Sequence, residues 1–103
     1  MKLYNAKRVA IVIEAPMQER LTNAMEEAGV TGYSVLPVLG GSGQSGKWSA
    51  DDRIGKAGGL VQVTCIVRSE AIDRLIEHAF PLVERHIGII TVTDCEVLRP
   101  ERF

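Results

Sequence analysis

The stretch Gly41-Ser42-Gly43-Gln44-Ser45-Gly46-Lys47 has the G-x-x-x-x-G-K spacing in which backbone N–H groups and a lysine cradle phosphates. The next position breaks that chemistry. Trp48 stands where a Ser or Thr should hold magnesium, and Ser49-Ala50-Asp51-Asp52-Arg53 offers no apolar stripe for the helix that should follow. A nucleoside-triphosphatase also needs a larger parallel sheet than this chain can build. The adjacent acids Asp51 and Asp52 could share a proton in acid/base work, but their glycine-rich setting suits a solvated turn. No Ser/His/Asp or Cys/His order pairs a nucleophile with a base, so the chain is read as a non-enzyme. His78, His86, Cys65 and Cys95 show no metal-ligand spacing, and no metal site is expected. His86, just before Gly88, has two readings: a contact to a bound anion, or a helix C-terminal cation favoured by the dipole. Trp48, the single Trp, either docks on a partner or folds back on its own subunit.

The chain is 103 residues long and 46% apolar, which fits a single domain spanning 1–103. Twelve Lys and Arg against 13 Asp and Glu leave a net charge of -1, without the basic excess that drives nucleic-acid binding. The first residues lack an apolar signal core, and no run reaches the roughly 18 apolar residues of a membrane span. A cytoplasmic protein is expected.

The elements that would position these residues follow from hydrophobic periodicity. Val9-Ala10-Ile11-Val12-Ile13 is an unbroken apolar run of strand length, expected at the centre of a sheet and covered on both faces. After Pro16, Met17, Leu21, Ala24, Met25 and Ala28 recur at helical spacing, and Gly29 supplies the stop. Thr31 to Leu39 reads as a strand, with Pro37 confining it to an edge. Seven of the ten glycines then fall between Gly40 and Gly59, in a polar segment longer than any chain reversal needs. That length implies a functional loop whose order depends on what is bound. Leu60 to Val67 is a second strand with both faces largely buried, Ser69 is a candidate N-cap, and Ile72, Leu75, Ile76, Ala79, Phe80 and Val83 form a second helical stripe. Pro81 should kink that helix. Gly88 to Leu98 is the last strand.

The order β-α-β-β-α-β is the split βαβ, or ferredoxin-like, α+β sandwich, with right-handed crossovers that put both helices on one face of the sheet. The other face is left bare, and so much exposed apolar surface predicts an oligomer. In this topology the strands carrying Cys65 and Cys95 flank the first strand, about 9.5 Å apart at about 4.8 Å per strand, beyond disulfide reach. Two free, buried thiols are expected.

Gly29-Val30-Thr31-Gly32-Tyr33-Ser34-Val35 followed by Val38-Leu39-Gly40-Gly41 resembles the second strand of PII signalling proteins leading into their long T-loop. Arg85-His86-Ile87-Gly88-Ile89-Ile90 resembles a shortened form of the loop before their last strand. The resemblance implies a homotrimer with an adenine nucleotide in each cleft between subunits, and a T-loop at about 40–59. Carried over by position, it sets Thr31, Gly32, Tyr33 and Ser34 beside base and ribose, Gly40 and Gly41 at the phosphates, and Thr64 at the adenine edge. Gly88 and Ile89 belong to the neighbouring wall, with Arg99 and Arg102 reaching phosphate. The longer T-G-K-I-G-D-G-K stretch of PII proteins and their modifiable T-loop tyrosine have no counterpart here. That departure favours a PII-like branch that prefers ADP or AMP. The chain is most similar to carboxysome-associated PII-like (CPII) proteins and next to SbtB-type regulators. This implies bicarbonate as co-ligand and a bicarbonate transporter, or another membrane target, as the T-loop's partner.

Two rival readings use the same fold. A trimeric metal-tolerance protein of the CutA type would need ligands that His78, His86, Cys65 and Cys95 do not supply at a suitable spacing. A small enzyme on the ferredoxin-like scaffold would need a nucleophile and base that cannot be paired.

Overall fold

The computed structural model describes residues 1–43, 46–49, 59–99 and 101. The chain runs from β1 (Tyr4–Glu14) through a 3-10 turn at Ala15–Met17 into α1 (Gln18–Glu27), then β2 (Ser34–Val38) and two short strands, β3 (Gly40–Gly43) and β4 (Gly46–Ser49). β5 (Leu60–Val67), a second 3-10 turn at Ser69–Ala71, α2 (Ile72–Arg85) and β6 (Gly88–Val97) complete it. Strands β2, β5, β1 and β6 lie in that order in one antiparallel sheet, giving the ferredoxin-like βαββαβ arrangement. β3 and β4 form a separate two-stranded ladder at the start of the glycine-rich segment, closed by Gly43 opposite Gly46.

Alternation along β1 divides the sheet into two unlike faces. Val9, Ile11 and Ile13 are fully buried and join Leu21 and Met25 of α1, Val63, Cys65 and Val67 of β5, and Leu75, Ala79 and Val83 of α2 in one core. Each fully buried Leu, Ile or Val contributes roughly 1.5–3 kcal/mol, so this face holds the fold together. Paired residues share a face. Arg8, Ala10 and Val12 therefore lie with Gln62, Thr64 and Ile66 of β5 and Ile89, Thr91 and Thr93 of β6 on the side away from the helices. The expectation that the first strand and β5 are covered on both faces is corrected here. Val12, Gln62, Thr64 and Ile66 are only half-buried, and among the described residues both helices lie on the other face.

Local chemistry fixes the α1 exit. Gly29 takes φ +96°, its N–H donates to the Glu26 carbonyl at 3.0 Å, and the Val30 N–H reaches back to the Met25 carbonyl at 3.0 Å. This is the Schellman pattern, which satisfies otherwise orphaned helix carbonyls and favours Gly at the left-handed position. Residues 31–33 then cross from this cap to the sheet, so the strand expected from Thr31 begins at Ser34. β2 is an edge strand, and Pro37, opposite Val61, occupies a place where a missing N–H is tolerated.

At α2 two expectations change. Ser69 is not an N-cap: the Ala71 N–H donates to the Arg68 carbonyl, and the 3-10 turn so formed takes Ser69 inside it. Phe80 is about half exposed, while Leu75, Ala79 and Val83 carry the buried stripe. Pro81 is exposed and lies inside α2, which continues to Arg85. β6 then starts at Gly88, where a Cβ would stand 2.7 Å from the Val12 carbonyl oxygen and 3.2 Å from Val83 Cγ1. Only a residue without a side chain lets β6 approach β1 this closely at that end.

Candidate functional site

On the open face, at the β2–β5 edge, lies a cavity of about 250 Å³ lined by Arg8, Gly32, Tyr33, Ser34, Thr64, Cys65 and Ile66. Sheet register assembles it. Ser34 pairs with Thr64, which pairs in turn with Ala10, so the two hydroxyls sit side by side; Arg8 pairs with Ile66. The Schellman turn aims Gly32 and Tyr33 over this edge, and Tyr33 is held by its hydroxyl donating to Glu26 Oε2 of α1 at 3.3 Å. Thr31 is exposed in the same crossing segment, outside the lining. Four residues expected near a base and ribose, namely Gly32, Tyr33, Ser34 and Thr64, thus line one cavity.

The other expected residues lie elsewhere. Gly40 and Gly41 are in β3, opposite Ser49 and Trp48. Gly88 and Ile89 begin β6, at the opposite edge of the sheet, and Ile89 is well exposed. Arg99 follows β6 and pairs with Glu101 at 3.3 Å, both side chains largely in solvent. Arg102, the side chains of Lys47 and Trp48, and Asp51 and Asp52 lie outside the described residues. The backbone at Lys47 belongs to β4 and runs on as strand to Ser49, the opposite of a phosphate loop opening a helix.

His86 caps the C-terminus of α2 and turns Nδ1 toward Glu14, 3.5 Å from Oε1. The same oxygen accepts the Ile87 N–H at 2.9 Å. One residue further on, the Ala15 N–H donates to the Gly59 carbonyl at 3.0 Å, where the glycine-rich segment returns to the sheet. The end of β1 thereby ties down both the turn into β6 and the root of the long segment.

Sequence reading missed Arg8, Glu14 and Ile66. The signal was the period of two: Arg8 has the parity of Ala10 and Val12, and Ile66 that of Thr64. Parity alone, however, does not say which face is open.

The cysteines sit on opposite faces, Cys65 opposite Val9 in the core and Cys95 opposite Ala6 on the open side, both free. Cys95 is half-buried, less than expected. Burial pushes the Cys65 thiol up to about 11, so it is neutral at ordinary pH and a poor nucleophile. His78 Nδ1 lies 2.9 Å from the Arg74 carbonyl of its own helix. Among the described residues, no three His, Cys, Asp or Glu side chains are grouped to hold a metal ion. Among them, too, no helix is long and apolar enough to cross a membrane.

Comparison with known proteins gives a consistent picture. The family described as nitrogen regulatory protein P-II matches residues 6–102. The fold superposes on CPII, a nitrogen regulatory PII-like protein from Thiomonas intermedia K12 bound to ADP, AMP and bicarbonate, with TM-score 0.89 and 31% identity over 99% of this chain and 96% of that one. The same protein bound to ADP, AMP and acetate matches with TM-score 0.82 and 30% identity, over 100% of this chain and 98% of that one. A GlnK–ATP complex from B. subtilis matches at TM-score 0.59 and 16% identity, over 88% and 84% of the two chains, a likeness of fold alone. No curated protein matches the chain.

Proposed function

The chain belongs to the nitrogen regulatory protein P-II family, and from that premise we propose that it is a regulator, without catalytic activity, that binds ADP or AMP between the subunits of a homotrimer. The observation that carries this reading is the cavity joining Gly32, Tyr33, Ser34 and Thr64 in a chain so like a protein bound to ADP, AMP and bicarbonate. Gly32, Tyr33 and Ser34 bracket base and ribose with Thr31 beside them, and Thr64 meets the adenine edge. Gly40 and Gly41 admit the phosphates. Gly88 and Ile89, on the far edge of the sheet, complete the cleft from a neighbouring copy, with His86 beside them. Arg99 and Arg102 close on the phosphates, since an exposed pair such as Arg99–Glu101 is worth little and exchanges readily for a phosphate.

Assembly follows from the same surface. Among the described residues, Leu36, Ile89 and the half-buried Val12 and Ile66 leave an apolar sheet face without cover, and a second and third copy supply it. Bicarbonate is the co-ligand near the phosphates. Bound nucleotide changes the docking surface of the segment 40–59, which engages a bicarbonate transporter or another membrane target. A metal-tolerance role finds no support in the separated positions of His78, His86, Cys65 and Cys95.

Titration calorimetry with ADP, AMP, ATP and cyclic AMP, each with and without bicarbonate, tests the reading, with light scattering to give the assembled mass. Binding of ADP or AMP by a trimer is expected. Absence of heat with all four ligands, or a monomeric mass at micromolar concentration, refutes it.

A further inference from the structure

Arg8 also lines the cavity. It is exposed, and among the described residues it makes no hydrogen bond or ion pair. Guanidinium is a donor-only group with five N–H bonds, permanently charged, so it seeks acceptors. Tyr33, by contrast, has its hydroxyl committed to Glu26.

Register says which end of a ligand Arg8 would meet. Glu14 pairs with Leu60, and Leu60 with Val38, so the glycine-rich segment leaves and rejoins the sheet at the Glu14 end of β1. Arg8 lies toward the other end, beyond Ala10 and its partner Thr64. At about 3.3 Å per residue, the distance back from Glu14 to Arg8 is roughly 20 Å. A nucleotide with its phosphates at Gly40 and Gly41 therefore presents its base to Thr64 and Arg8.

We propose that Arg8 is a specificity-determining residue of this cavity, donating to N1 of adenine while the Thr64 hydroxyl accepts from the neighbouring exocyclic amine. The inference rests on the adenine-nucleotide reading above. One donor-only group beside one hydroxyl matches an acceptor nitrogen beside an amine. In hypoxanthine a carbonyl replaces the amine, and the Thr64 hydroxyl can turn to donate to it, but N1 now carries a hydrogen that faces a cation with no acceptor. The discrimination therefore falls on Arg8, whose N–H donors lose their acceptor at N1 and meet another donor there.

The test is calorimetry of the full chain with AMP and with inosine monophosphate, for wild type, Arg8→Met and Arg8→Lys, with light scattering to establish that each variant assembles as wild type does. Wild type is expected to prefer AMP. Arg8→Met should weaken AMP by about tenfold or more while affecting inosine monophosphate much less, so that the preference collapses; Arg8→Lys, which keeps a donor, should retain part of it. Should Arg8→Met fail to assemble, Arg8→Lys and Arg8→Gln carry the comparison. An unchanged AMP to inosine monophosphate ratio, or equal weakening of both, overturns the role of Arg8 while leaving nucleotide binding intact. No binding of either ligand by wild type overturns the underlying reading and the inference with it.

Discussion

Replacing Gly88 with Ala puts a methyl group 2.7 Å from the Val12 carbonyl oxygen and 3.2 Å from Val83 Cγ1. Neither neighbour can yield cheaply. Val12 belongs to the central strand, whose backbone is paired on both sides, and Val83 is a buried member of the core on α2. Relief requires β6 to peel from β1 at the Ile13–Gly88 pair, or α2 to lift from the sheet. Overpacking of this kind costs about 1–3 kcal/mol, partly offset by the 0.4–1 kcal/mol, roughly, that losing a glycine removes from unfolded-chain entropy. The net loss is about 1–2 kcal/mol, and at about 4–8 °C per kcal/mol for a domain this size the melting temperature should fall by roughly 5–15 °C. Scanning calorimetry at fixed protomer concentration reads it, with Gly32→Ala as the control. A Cβ at Gly32 meets nothing within 4 Å. Gly32→Ala should melt at the wild-type temperature or slightly above, and its effect should appear in nucleotide affinity, because Gly32 lines the cavity. If Gly88→Ala melts as Gly32→Ala does, the close approach of β6 to β1 is not what selects glycine at position 88.

Two further outcomes follow from buried and tethered groups. Burial raises the folded-state pKa of Cys65 from 9.0 to about 11, so the unfolded chain releases its proton first. Stability should be indifferent to this thiol below about pH 9 and fall as pH rises toward 11, and the urea midpoint of Cys65→Val should lose that part of the decline. Identical slopes for wild type and variant from pH 8 to 10.5 would contradict a buried neutral thiol. At the end of β1, Glu14→Ala removes the acceptor of the Ile87 N–H and the partner of His86. Hydrogen exchange at Ile87 should accelerate about tenfold, while Glu14→Gln, which keeps an acceptor oxygen, should stay near wild type. Equal exchange in Glu14→Ala and wild type would show that the contact does not hold the turn in solution.

What could be read from the sequence was whatever depends on neighbours along the chain. The apolar run around Ile11, the Gly29 stop and the confinement of Pro37 to an edge each express local stereochemistry, and each stands in the fold. The hairpin of β3 and β4 was hidden because glycines and serines carry no alternation of apolar and polar residues. Ser69 had the right type for a cap, but a 3-10 turn started one residue earlier and absorbed it. Phe80 fell in the helical stripe, yet the buried line runs through Leu75, Ala79 and Val83, leaving Phe80 at its margin. Gly32, Tyr33, Ser34 and Thr64, which line the cavity, were singled out through resemblance. Arg8 and Ile66 needed the register of β1 against β5, which no single strand specifies.

That register also bears on the proposed binding cleft and assembly surface, which it would place together. The cavity opens at the β2–β5 edge, whereas Gly88 and Ile89 lie on β6. At about 4.8 Å per strand spacing the two edges stand roughly 14 Å apart in one chain, so both sets of residues meet a single small ligand only when edges of different copies come together. The face they share is the one the helices leave open, with Leu36 and Ile89 exposed on it. β1 is common to both demands: Val9, Ile11 and Ile13 hold the core, Arg8 faces the cavity, and Glu14 and Ala15 tie the turn into β6 and the Gly59 return at adjacent positions.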